Sequence, residues 1–117
     1  MKILMVEDNP TFSALACNNF LTSHDVKVAA TLKAARSALD SESFDAVLVD
    51  FDLPDGKGNQ LVTWIRQRPP TQKVPIVAIS SHERGNRRLL AAGANTTCSK
   101  MHFKKITKAL AKVASKT

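Results

Sequence analysis

Five short apolar runs recur along this 117-residue chain, at residues 3–6, 26–30, 46–49, 74–79 and, more weakly, 95–99. The clearer ones are continuously apolar. A strand with one wet face alternates apolar and polar side chains, so runs of this kind fit parallel strands covered on both faces. Helical patterns fill the gaps. Asn9 is placed to cap a first helix with Pro10 at its opening position, and Phe12, Leu15, Ala16, Asn19 and Phe20 follow at helical spacing. Thr31 opens a second helix through Ala35, Ala38 and Leu39, and Leu61, Trp64 and Ile65 mark a third, stopped by Pro69-Pro70. Leu89, Leu90 and Ala91 lie in a fourth, ended by Gly93, and Phe103, Ile106, Leu110 and Val113 stripe a last one. Strand and helix alternating five times predict an α/β fold: a parallel sheet with helices on both faces and right-handed crossovers. Such sheets bind ligands beyond the carboxyl ends of their strands.

The length suits one domain over residues 1–117, able to bury a core without staples. No run approaches the ~18 apolar residues of a membrane span. The apolar patch at residues 3–6 is too short for a signal peptide and meets Glu7 and Asp8 at once. The expected compartment is the cytoplasm, where Cys17 and Cys98, at no metal-binding spacing, read as small buried or half-buried thiols rather than a disulfide. The net charge of +7 conceals a split. Residues 1–65 carry 5 Lys/Arg against 9 Asp/Glu, and residues 66–117 carry 12 against 1. One half offers a cation site, the other an anion-attracting surface.

The strand ends carry the chemistry. Glu7 and Asp8 follow the first strand, Asp50 ends the third, Ser80 the fourth and Lys100 the fifth. A parallel sheet brings these scattered residues to one edge. If the first and third strands are neighbours, Glu7, Asp8 and Asp50 converge. Three carboxylates that close are costly in a low dielectric unless a cation sits among them. Hard oxygen ligands with room for water and phosphate suit Mg²⁺.

Glu7-Asp8, "VLVDFDLPDGKG", "VPIVAISSH", "AAGAN" and Lys100 together resemble the receiver domain of two-component response regulators, over almost the whole chain. The resemblance implies a flavodoxin-like fold with strand order 2-1-3-4-5. It implies Asp50 as phosphoryl acceptor from a sensor histidine kinase or phosphotransfer protein. Mg²⁺ would be held by Glu7, Asp8, Asp50 and the backbone carbonyl of Asp52, and Ser80 and Lys100 would contact the phosphoryl group. Such a domain is no enzyme beyond its own phosphorylation and dephosphorylation. Two positions depart from the family pattern. Met101 stands where a proline usually follows the lysine through a cis peptide, so a trans loop that displaces Lys100 somewhat is expected. Thr97 stands where a Tyr or Phe usually swings inward on activation. Asp52 and His82 sit two residues beyond Asp50 and Ser80; each reads as solvent-facing polarity or as a group that tunes the phosphate's lifetime.

In this family the fourth helix, fifth strand and fifth helix form the partner surface. Here Arg84, Arg87, Arg88, Lys104, Lys105, Lys108, Lys112 and Lys116 make it basic, which reads as a solvated helix face or as a docking face for an acidic partner: a kinase, a downstream protein, or an anionic nucleotide or nucleic acid. No aromatics interleave with the cations, which argues against single-stranded nucleic acid. A homodimer stays open. Two alternatives compete. A binding module on the same fold would work through the basic face without phosphorylation. "VLVDFD" also looks like the nucleophile motif of haloacid-dehalogenase-type phosphatases, which place it on their first strand.

Overall fold

The structure, a computed structural model, describes residues 1–114. In chain order the elements are β1 (Lys2–Val6), α1 (Pro10–Asn19), β2 (Asp25–Ala29), α2 (Leu32–Ser41), β3 (Ala46–Val49), α3 (Gly58–Gln67), β4 (Ile76–Ala78), α4 (Glu83–Ala92), β5 (Thr96–Thr97) and α5 (Ile106–Ala114). The five strands form one parallel sheet in the order 2-1-3-4-5. The expected fold class and strand order are therefore found.

The sheet separates two cores because successive side chains of a strand point to opposite faces. Leu4, Val6, Val47 and Val49 pack with Leu32, Leu61, Ile65 and Leu89 of α2, α3 and α4. Ile3, Met5, Leu48 and Val77 pack with Ala16, Ile106 and Leu110 of α1 and α5. Both faces are dry, which is why the runs read as continuously apolar. Each fully buried Leu or Ile contributes roughly 1.5–3 kcal/mol to stability. Phe103 closes the second core by edge contacts with Phe12 and Phe20, at centroid separations of 5.1 and 5.8 Å. Cys98 is buried, Cys17 half-buried, and both thiols are free. Leu15 breaks the expected pattern: it shares the helical spacing of the core residues yet is 50% exposed.

Helix starts follow the capping rules. Asn9 Oδ1 accepts from the Thr11 and Phe12 N–H groups, and Thr31 Oγ1 from that of Ala34. The α2 start gains a second cap from afar: the Asp55 carboxylate accepts from the Leu32 and Lys33 N–H groups at 2.8 and 3.1 Å. These bonds hold the Asp55 pKa below its ordinary value, the Leu32 bond most strongly. Gly93 ends α4 at φ +128°, a conformation that side chains with a Cβ resist.

Two local features depart from expectation. Between the third strand and the third helix, where no strand was expected, Asp52–Leu53 and Gly56–Lys57 pair as a short antiparallel ladder. The last helical stripe is also split. Residues Lys100–Lys105 form a 3₁₀ turn, broken by non-helical dihedrals at His102, before α5 begins. Ser99 Oγ opens that turn by accepting from Met101 N–H at 3.2 Å.

Candidate functional site

The β1–β3 register sets Val6 beside Val49, so the residues that follow these two strands emerge together. The Asp50 N–H donates to the Val6 carbonyl, and the Glu7 N–H to that of Ala29 on β2. Carboxylate oxygens of Glu7, Asp8 and Asp50 lie within 4.8 Å of one another, with Glu7 and Asp50 buried and Asp8 exposed. Lys100 reaches both buried acids. Its Nζ donates to Asp50 Oδ2 at 2.9 Å and pairs with Glu7 Oε2. The remaining carboxylate oxygens are positioned by the main chain: Asn9 N–H donates to Glu7 Oε1 and Phe51 N–H to Asp50 Oδ1.

Three carboxylates against one ammonium leave two negative charges uncompensated at the sheet edge. Burial pushes the Glu7 pKa up, against the lowering pull of Lys100 and the Asn9 N–H. Burial pulls the Lys100 pKa down, but its bonds to Glu7 and Asp50 outweigh this and hold it above its ordinary value, so the ammonium stays charged. Glu7 Oε2 is buried and, apart from its ion pair with Lys100, satisfies no hydrogen bond. A hard divalent cation fits this set of donors. It meets oxygen ligands only, neutralises the surplus charge, and finds on the exposed Asp8 side an opening for water or substrate.

The register that sets Ala78 of β4 beside Val49 of β3 brings Ser80, 2% exposed and two residues past β4, out at the same edge of the sheet. The first turns of α4 enclose it. The Ser80 N–H donates to Asn86 Oδ1 at 2.9 Å, and Asn86 Nδ2 donates back to the Ser80 carbonyl at 3.0 Å. Ser80 Oγ accepts from His82 N–H at 3.1 Å. A methyl group on Gly85 would come within 2.7 Å of that hydroxyl oxygen. One on Gly58 would overlap the Asp50 carbonyl oxygen, so α3 begins against the end of β3 only because residue 58 lacks a side chain.

The model of the response regulator receiver domain matches residues 3–111. The chain belongs to that family. It is a receiver domain of two-component systems. It is 37% identical over 82 residues, 69% of its length, to the response regulator protein PilR of Pseudomonas aeruginosa. It is 34% identical over 99 residues, 79% of its length, to the sensor histidine kinase GacS of Pseudomonas protegens. It spans 18% of the length of PilR and 11% of that of GacS. Among solved structures, the receiver domain of the sensor histidine kinase PA1611 from Pseudomonas aeruginosa superposes with a TM-score of 0.88. The two are 26% identical, with 97% of each chain covered, and that receiver has a magnesium ion coordinated in its active-site cleft.

In this receiver Glu7, Asp8, Asp50, Ser80 and Lys100 all gather at the carboxyl edge of the sheet. No cis peptide occurs among the described residues, so Lys100–Met101 is trans, and Lys100 nevertheless reaches both acids. The Asp52 side chain is exposed and ion-paired with Lys57, away from the three acids. His82 is exposed as well, and it is its backbone that touches Ser80. Thr97 lies exposed on β5. "VLVDFD" straddles the end of β3, not β1, and the phosphatase resemblance has no counterpart in the topology. Arg84, Arg87 and Arg88 on α4, and Lys104, Lys105, Lys108 and Lys112 around α5, are all exposed; Lys116 lies outside the described residues. Among the described residues no helix is long and apolar enough to cross a membrane. Sequence reasoning passed over Asn86, Gly58 and Asp55. Asn86 carried a signal: it lies three residues before Leu89, a polar group on the inner stripe of α4.

Proposed function

We propose that Asp50 is the phosphoryl acceptor of this receiver, charged by a histidine kinase or phosphotransfer protein. Glu7, Asp8, Asp50 and the backbone carbonyl of Asp52 would hold Mg²⁺ beside it. The observation that carries this reading is the meeting of three carboxylates within 4.8 Å, with the Lys100 ammonium 2.9 Å from Asp50 Oδ2. In the transfer, a carboxylate oxygen of Asp50 attacks phosphorus. The P–N bond to the donor imidazole breaks, and its electron pair stays on the nitrogen. Bound magnesium supplies Lewis-acid neutralisation of the phosphoryl oxygens. Lys100 stabilises the same charge from the protein side, in a partly dry setting where such stabilisation is strongest. The Ser80 hydroxyl, already an acceptor from His82 N–H, keeps its own proton free to donate to a phosphoryl oxygen. Attack by water on phosphorus later returns the Asp50 carboxylate and releases phosphate. Residues 1–117 thus act as one cytoplasmic receiver unit whose only catalysis is of its own phosphorylation and dephosphorylation.

The signal leaves through α4, β5 and α5. Arg84, Arg87, Arg88, Lys104, Lys108 and Lys112 make that face strongly cationic, with Glu83 the only acid in residues 66–117. A second copy of the same face would set cation against cation, so an acidic protein fits it better than a homodimer. A phosphorylation-independent binding module is the second reading, favoured by Thr97, which gives β5 no aromatic side chain. Incubation with acetyl phosphate and Mg²⁺ followed by intact-mass measurement separates the two. One added phosphate, absent in Asp50→Asn, is the expected result. An unmodified wild-type protein favours the binding module.

A further inference from the structure

Three hydrogen bonds tie Ser80 to the start of α4. Asn86, 8% exposed, grips both backbone groups of Ser80, accepting from its N–H and donating to its carbonyl. The His82 N–H holds the hydroxyl, and Gly85 leaves the space that the hydroxyl occupies. The two Asn86 bonds are buried, and breaking either strands a polar group with no water to replace the partner. Ser80 and α4 therefore move as one body more readily than apart. Residues 84, 87 and 88 stand on the outward side of the same turns that residues 85 and 86 turn inward, and all three are exposed arginines. β5 offers no aromatic residue to relay a movement, since Thr96 and Thr97 are its only residues.

We propose that Asn86 is the positioning residue that couples Ser80 to α4: when the Ser80 hydroxyl is drawn to a phosphoryl group on Asp50, Asn86 carries the first turns of α4, and their arginines, with it. The inference rests on Asp50 being the acceptor. Coupling is reciprocal, so an acidic partner bound to these arginines also changes how well the Ser80 hydroxyl meets the phosphoryl group.

Beryllofluoride with Mg²⁺, a phosphoryl mimic, tests this when fluorine NMR and backbone-amide NMR are read on the same samples. The wild type should give a bound fluorine signal and amide shifts both at residues 99–101 and at residues 83–88. Asn86→Ala should keep the bound signal and the shifts at 99–101, while those at 83–88 fall to less than half. A role confined to stability would lower the melting temperature but leave the ratio of the two responses unchanged. Asn86→Asp keeps an acceptor for the Ser80 N–H and loses the donor to its carbonyl; it should give an intermediate response at 83–88. If Asn86→Ala does not fold, Asn86→Asp decides, since a full wild-type response there overturns the coupling. Full shifts at 83–88 in Asn86→Ala overturn it directly. Absence of a bound fluorine signal in the wild type overturns the receiver reading, and this inference with it.

Discussion

The acidic strand ends and the basic α4–α5 surface hold opposite charges in opposite ways. At the strand ends the buried charged groups are engaged. Glu7 and Asp50 are buried, each takes a main-chain N–H on one oxygen, and both share Lys100. On α4 the arginines at 84, 87 and 88 are exposed, and among the described residues no hydrogen bond or ion pair engages them. Arg66, also in the basic half, shows the alternative: its guanidinium donates to the carbonyls of Gly93, Gln72 and Val74 and to Asn95, locking α3 to the ends of α4 and β4. A cation in this protein is thus either built into the fold or left for something outside it. Chemistry needs the first arrangement, where geometry is fixed before the reaction. Recognition of a partner needs the second, where the desolvation cost is met only on binding.

The contrast breaks most visibly if Lys100→Ala leaves phosphorylation intact. Removing a charge that faces the transferring group should slow labelling by acetyl phosphate roughly 100-fold or more. It should also bring Glu7 and Asp50 into unshielded repulsion, so added Mg²⁺ should raise the melting temperature of the variant more than that of the wild type. Gly58→Ala comes next. Its methyl group would displace the Asp50 carbonyl, and the strain should cost about 1–3 kcal/mol of stability and slow labelling as well. Chemical denaturation and labelling read on the same variant give both numbers.

An exposed ion pair sharpens the same comparison from a third place. Glu42 pairs with Lys2 and Lys27 near the other end of β1 and β2, and its pKa is lowered to about 2, chiefly by the Lys2 bond and then by the Lys27 bond. An acid whose folded pKa is depressed stabilises the fold above its unfolded value of 4.5, and that contribution fades as pH falls toward 2. The melting temperature of Glu42→Gln should therefore fall less than the wild type's between pH 5 and about 2. The smallest effects belong to the basic face. Replacing Arg84, Arg87 and Arg88 singly by alanine should change stability by no more than about 0.5 kcal/mol and leave the labelling rate alone. A large loss of stability in any of them would show that these side chains serve the fold.

Features written in consecutive residues were the legible ones. A short apolar run ending in an acid marks a parallel strand and its functional tip together, which is why the sequence alone places Glu7, Asp8 and Asp50 at one edge. Lys100 was legible as the polar end of the fifth run, but its role against the acids came only through family resemblance, because its path to Glu7 and Asp50 runs through a 3₁₀ turn that no periodicity announces. Asn86 and Gly58 matter through partners in other elements, Ser80 and the Asp50 carbonyl, and spacing along one helix carries no record of such contacts. Asp55 caps α2 from 22 and 23 positions away, farther than any local pattern reaches. Leu15 misled because helical spacing shows which residues share a stripe, and not how wide the buried part of that stripe is.

Everything proposed for the strand ends reduces to one residue and one ion, and both can be read in a single labelling experiment. The protein is incubated with acetyl phosphate, with Mg²⁺ or with a chelator in its place, and the acyl phosphate is trapped by reduction and mapped by peptide mass spectrometry. The expected result is a label on Asp50 alone, formed only when Mg²⁺ is present. A label on Asp8 or Asp52, or one on Asp50 that forms equally well with the chelator, would contradict it.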